Sequence, residues 1–251
     1  MTLRAIVRGL SEGAATAEPE LVRYVCTVHR IEMGTTFVVF DPERSLEADA
    51  HLAVDGERTL LHVRHVRGAT LVAARPLALV QGFAKADKCD AIVRDATELG
   101  ATTVLVAAME RSVARPQGAK LGVREERWRR IAAEAARQCG RGDAPRVAAF
   151  SSLEAALADL APDSAGFVLW ERASVPLGPT LALALASMRP LAFVIGPEGG
   201  LSESEVDACR TRGFEAFSLG PFILRTETVA SAVLGAVRVL EGLRERLESS
   251  P

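Results

Sequence analysis

Hydrophobic positions change their spacing once along this chain. Up to about residue 75 they fall in short alternating runs: Thr36-Phe37-Val38-Val39-Phe40, Leu60-Leu61-His62-Val63-Arg64-His65-Val66 and Thr70-Leu71-Val72-Ala73-Ala74. Alternation sends successive side chains to opposite faces, so each run predicts a half-buried strand. Asp41-Pro42, Asp55-Gly56 and Arg67-Gly68 separate the runs as turns. Beyond about residue 76, solid apolar runs alternate with segments of helical period. Residues 77–83, 102–108, 147–150 and 166–170 read as buried strands, and a further run ends at Ile195. Helices are predicted over 87–99, 124–139, 153–160, 180–188 and 228–247. The first buries Cys89, Ile92, Val93, Ala96 and Leu99; the second buries Trp128, Ile131, Ala132, Ala135 and Cys139. Strands alternating with helices imply a mostly parallel, helix-covered sheet. The expected class is therefore α/β, with a β domain over 1–75 and an α/β domain over 76–251.

Two stretches of the second domain share one form, in which an apolar run leads to a Gly/Pro loop and then to a helix. The first is Phe193-Val194-Ile195-Gly196-Pro197-Glu198-Gly199-Gly200-Leu201, and the second is Ser218-Leu219-Gly220-Pro221-Phe222-Ile223-Leu224-Arg225-Thr226-Glu227-Thr228. Glycine brings bare backbone close to a flat ligand. Ser202 with Glu205 three residues on forms a capping box that starts the next helix. Loops at the ends of neighbouring parallel strands make one crevice, the usual ligand position in open α/β sheets. There is no GxxxxGK[ST] and no GxGxxG, which disfavours a nucleotide phosphate. A tight turn is the plainer reading of either loop taken alone.

Composition changes this picture little. The chain has 251 residues, 49% hydrophobic and 25% charged, with a net charge of -2. A polyanion must then be held by a local patch. Between Arg111 and Arg146 there are ten Lys/Arg against four Asp/Glu. Residues 112–121 lack hydrophobic period and read as a mobile loop feeding a basic helix. That segment suits a phosphate backbone or a solvated helix face equally. Cys26, Cys89, Cys139 and Cys209 lack metal-ligand spacing and read as reduced cysteines of a cytoplasmic protein. The four histidines, all in the first domain, recur with no acidic or cysteine ligand at fixed spacing, so no metal site is expected. No apolar run reaches membrane-spanning length.

Five ordered motifs resemble one family. They are Ala96-Thr97-Glu98-Leu99-Gly100; Glu110-Arg111-Ser112; Arg127-Trp128-x-x-Ile131-x-x-Glu134-Ala135-x-x-Gln138-Cys139-x-Arg141; Gly196-Pro197-Glu198-Gly199-Gly200; and Leu219-Gly220-x-x-Ile223-Leu224-Arg225-Thr226-Glu227-Thr228. Together they resemble the ribosomal RNA small-subunit methyltransferase E family, of the SPOUT class. The resemblance implies a PUA-like β-barrel that binds RNA, followed by a trefoil-knotted α/β domain, in a homodimer. It implies S-adenosylmethionine-dependent methylation of N3 of one uridine in 16S rRNA, leaving S-adenosylhomocysteine. The cofactor would lie against Leu169, Trp170 and Glu171; Ile195, Gly196, Pro197, Glu198, Gly199 and Gly200; and Ser218, Leu219, Gly220, Ile223, Leu224 and Arg225. Arg225, Glu227 and Glu198 would do the chemistry. RNA would be gripped by Arg4, Arg8, Arg23, Arg30 and Arg64 in the barrel, and by Arg111, Arg115, Lys120, Arg124 and Arg141 beyond it. The apolar stripe Val229, Val233, Ala236, Val237, Leu240 and Leu243 would lie partly against a second subunit. The chain departs from the family at Phe222, where Arg is usual, at Ala86 for Gly, at Val229 for Ala, and in a less basic segment over 28–34. The remaining alternatives are a methyltransferase of this class acting on another RNA, and an rRNA-binding assembly factor without activity.

Overall fold

A computed structural model describes residues 3–85, 87–113 and 115–248; the departure at Ala86 lies outside them. The chain divides into two compact units, Met1–Val72 with Ala133–Ala144, and Ala73–Ala132 with Pro145–Pro251.

The first unit holds a five-stranded sheet of β1 (Arg4–Ile6), β2 (Gly13–Thr16), β3 (Phe37–Asp41), β4 (Leu46–Asp55) and β5 (Arg58–Gly68), in the order β1-β3-β4-β5-β2. β1 lies parallel to β3, and the other pairings are antiparallel. Alternate residues face inward as the pattern predicts, with Phe37, Val39, Ala50, Leu52, Leu61 and Val63 all buried in one core. Pro19 opens a short helix, α1 (Pro19–Val22), that continues as a π-helical turn over Arg23–Val28. His51 and His62 are cross-strand partners whose rings stack at 4.9 Å. The expected strand over 70–74 does not form. The Thr70 hydroxyl donates to Glu47 at 2.8 Å, and the Leu71 carbonyl accepts from Gly142 at 2.8 Å, so this segment spends its polar groups outside any ladder.

The second unit is built on a six-stranded parallel sheet. Its strands are β6 (Leu77–Gly82), β7 (Thr103–Ala107), β8 (Arg146–Phe150), β9 (Ala165–Leu169), β10 (Leu191–Ile195) and β11 (Glu215–Phe217), in the order β11-β9-β10-β6-β7-β8. Helices cover both faces. Leu79 of β6 and Phe193 of β10 point into one core with α2 (Lys88–Glu98), α3 (Ala119–Cys139), α5 (Leu177–Leu185) and α7 (Thr226–Glu248). Val80 and Val194 point into the other, with α4 (Leu153–Ala158) and α6 (Glu203–Thr211). Both faces are apolar because both are covered, which is why these strands read as solid runs. Leu79 and Phe193 are fully buried, each contributing about 1.5–3 kcal/mol by leaving water. One polar side chain, Gln81, lies fully buried within β6.

α3 starts at Ala119, not Arg124, so 119–121 are helical instead of loop. Its first turns are largely exposed and leave no apolar period to read. The stripe on α7 divides: Val233 and Val237 are fully buried in the core, while Leu243 is half exposed. No described helix is long and apolar enough to cross a membrane.

Candidate functional site

β9, β10 and β11 are adjacent and parallel, so the loops leaving Leu169, Ile195 and Phe217 emerge on one edge of the sheet. They enclose a crevice of about 490 Å³. Every residue expected to hold the cofactor lines it, from Leu169, Trp170 and Glu171 through Ile195–Gly200 to Ser218, Leu219, Gly220, Ile223, Leu224 and Arg225.

The first Gly/Pro loop is shaped by contacts that only glycine permits. A Cβ on Gly196 would stand 2.7 Å from the Gly200 carbonyl carbon and 2.8 Å from the Leu201 nitrogen. Gly200 has φ +72°, a conformation costly for other residues. The Gly199 carbonyl accepts from Arg111 Nη1 at 3.0 Å. Beyond the loop, the Ser202–Glu205 capping box is formed, with the Ser202 amide donating to Glu205 at 2.9 Å. The other oxygen of Glu205 accepts the Glu110 amide at 2.7 Å. The second loop is pinned at its root, where the Ser218 amide donates to the Val175 carbonyl at 2.8 Å. At its lip Phe222 and Ile223 are more than four-fifths exposed, with Leu219 and Leu224 about one-third exposed. Bare backbone, an apolar lip, the acidic Glu171 and Glu198 and the basic Lys88 and Arg225 line this crevice. Such a set fits a flat ligand held by backbone and apolar contact, with a few charged groups to orient it.

One lysine that sequence reasoning passed over joins the acidic residues. Lys88 Nζ stands 3.3 Å from Glu198 Oε1 and 3.3 Å from Glu227 Oε2. Lys88 is the first residue of α2, where the helix dipole disfavours a cation; the two carboxylates offset that. Burial raises the Glu198 carboxyl, but the Lys85 amide at 2.9 Å and the Lys88 ammonium outweigh it and hold the group below its ordinary value. Burial lowers the Lys88 ammonium, and the two carboxylates more than restore it, raising it above its ordinary value. Glu227 itself does not line the crevice. Its Oε2 is out of solvent, so Glu227 stands behind Lys88 rather than against a ligand. Arg225 lines the crevice, is exposed, and makes no ion pair among the described residues.

The arginines expected to contact RNA divide by environment. Arg141 is buried and holds Asp143 at 2.7 Å. Arg4 is mostly buried, pairs with Glu47 at 3.3 Å and stacks over Phe40. Arg8 pairs with Glu43 on the surface. Arg23, Arg30 and Arg64 are exposed. Arg115, Lys120 and half-buried Arg124 share a second cavity of about 670 Å³ with Pro116, Gln117 and Val123. Arg111 is exposed but committed to Gly199.

Residues 73–238 match the model of an RNA methyltransferase domain. The chain is 33% identical over 223 residues to the ribosomal RNA small subunit methyltransferase E of Mycobacterium bovis, covering 86% of this chain and 83% of that one. It is 30% identical over 234 residues to the protein of the same name from Synechocystis, covering 91% and 74%. Among solved structures it resembles the Neisseria gonorrhoeae ribosomal RNA small subunit methyltransferase E bound to S-adenosyl methionine, with 26% identity, a TM-score of 0.82, and 96% and 98% of the two chains covered. Matching sequence, matching fold and a glycine-shaped crevice on the sheet edge converge: the chain belongs to the ribosomal RNA small subunit methyltransferase E family of RNA methyltransferases.

Proposed function

We propose that this chain is an S-adenosylmethionine-dependent methyltransferase that modifies N3 of a uridine in 16S rRNA of the small ribosomal subunit. The observation that carries the reading is the crevice at Gly196–Gly200, shaped by bare backbone and walled by apolar and charged groups, in a chain of this family. The cofactor, when bound, supplies a methyl group activated by a positively charged sulfur. Leu169–Glu171, Ile195–Gly200 and Ser218–Leu224 hold and orient it. Uridine N3–H is a weak acid and must lose its proton before N3 can react. Arg225, at the crevice wall and without an ion pair among the described residues, stabilises the resulting anion. Glu198, held low and shared with Lys88, is a weak proton acceptor, so its main part is to hold the wall.

The five-stranded unit is read as the PUA-like RNA-binding barrel, and the six-stranded unit as the SPOUT domain with its trefoil knot. Arg115, Lys120 and Arg124 grip phosphates. The protein works in the cytoplasm as a homodimer, a reading supported by the exposed Val239 and Leu243 of α7.

Calorimetric titration of S-adenosylmethionine and S-adenosylhomocysteine, with ATP as control, tests the crevice. Binding of either, and not of ATP, is expected. Methyl transfer to small subunits from cells lacking this protein then tests the substrate. A folded protein that binds neither cofactor form would instead be read as an RNA-binding assembly factor.

A further inference from the structure

A polar side chain within a covered apolar strand is exceptional unless something specific holds it there. Gln81 is fully buried in β6, and its Nε2 lies 2.8 Å from Thr226 Oγ1, 3.1 Å from the Gly82 carbonyl and 3.2 Å from the Gly196 carbonyl. Thr226, also buried, donates its hydroxyl to the same Gly196 carbonyl at 2.7 Å. The amide orientation follows from these partners, because the reverse would set Oε1 against two carbonyl oxygens. Gln81 Oε1 is buried and has no donor among the described residues. An unmet buried acceptor costs stability, so Gln81 is not explained as a device for folding.

The shared acceptor explains it. Gly196 opens the first crevice loop, and Thr226 closes the second and begins α7. Gln81 does not line the crevice; it acts from behind, through the Gly196 carbonyl. We infer that Gln81, with Thr226, is a positioning residue for cofactor binding. The pair fixes the direction of the Gly196 peptide and ties the two crevice loops to β6, at a cost in stability. This rests on the cofactor reading of the crevice.

The test separates affinity from stability. Gln81→Met keeps the volume and removes both the donors and the unmet acceptor. S-adenosylmethionine should bind at least tenfold more weakly by calorimetry, while the Tm of the unliganded protein stays level or rises. Thr226→Val should weaken binding similarly, and Thr226→Ser, which keeps the hydroxyl, should restore it. The double variant should lose little more than either single one, because both act on one carbonyl. Binding within twofold of the parent in Gln81→Met, or a loss matched by a fall in Tm, would overturn the inference. If Gln81→Met does not fold, the Val and Ser variants at 226 decide it alone: equal affinities overturn it. If the parent protein itself binds no cofactor, the functional reading fails first.

Discussion

Lys88 and Glu198 stand 3.3 Å apart at the edge of the crevice, and the same ammonium reaches Glu227 at an equal distance. One side chain thus ties the start of α2 to the first crevice loop and to the start of α7. The two shifts set a pH window. Glu198, lowered from 4.5, gives stability above that value and loses it as pH falls through its folded value. Lys88, raised from 10.5, gives stability below that value and loses it as pH rises through its folded value. Lys88→Met should lower Tm by a few degrees at most near neutrality, given how partly exposed pairs behave. The difference should hold between about pH 4.5 and pH 10.5 and shrink outside that window, as pH falls through the lowered Glu198 value or rises through the raised Lys88 value. Thermal melts across pH check it; a constant difference would exclude the ion pairs as its source.

Gly196→Ala tests the close approach. Its new Cβ meets backbone at 2.7 and 2.8 Å, and backbone cannot swing aside as a side chain can. Overpacking of this kind costs about 1–3 kcal/mol. Cofactor affinity should fall about tenfold or more, measured by calorimetry, with the fold retained by circular dichroism.

Arg225 and the carboxylates separate two mechanisms. Removing one electrostatic donor from a reacting site costs about 10²–10³ in turnover. Arg225→Ala should therefore cut methyl transfer about 100-fold with cofactor binding largely kept. Glu198→Gln and Glu227→Gln should cost much less, since one carboxylate is held low and the other lies behind Lys88. Should either Gln variant lose more than Arg225→Ala, a carboxylate base would replace this account.

Arg115, Lys120 and Arg124 share one exposed basic cavity. Reversing all three to Glu should weaken RNA binding and flatten its salt dependence, by about 0.9 in slope for each phosphate no longer neutralised. Arg141→Gln offers the contrast: a buried partner of Asp143 should affect Tm and leave the salt slope unchanged.

What could be read in advance was local. The glycine loops and the capping box are contiguous motifs, and all the residues expected to hold the cofactor line one crevice. The alternation of Phe37, Val39, Leu61 and Val63 likewise marks its own strands, and all four are buried. Lys88 escaped because its meaning lies in partners at 198 and 227, far along the chain. Gln81 escaped because one amide in an apolar run looks like noise until the Gly196 carbonyl is placed beside it. The burial of Arg141 was hidden for the converse reason: a basic stretch shows charge but not which of its cations pairs with a nearby acid, here Asp143. Thr70–Ala74 alternates like a strand, yet it takes no strand conformation and Thr70 is bonded to Glu47.

β6 lies beside β10 in the sheet, and this ordering bears on how the enzyme comes into being. Gln81 must find Gly196 across 115 positions of chain and Thr226 across 145. Pairings over such spans are slow to form. A chain emerging from the ribosome N-terminal end first exposes β6 long before its neighbour exists. The crevice is therefore among the last features to be completed, after residue 226 has been released. Cofactor capture then adds its binding energy to the finished fold alone, and a shortened product ending before α7 should leave the ribosome unable to retain a methyl donor.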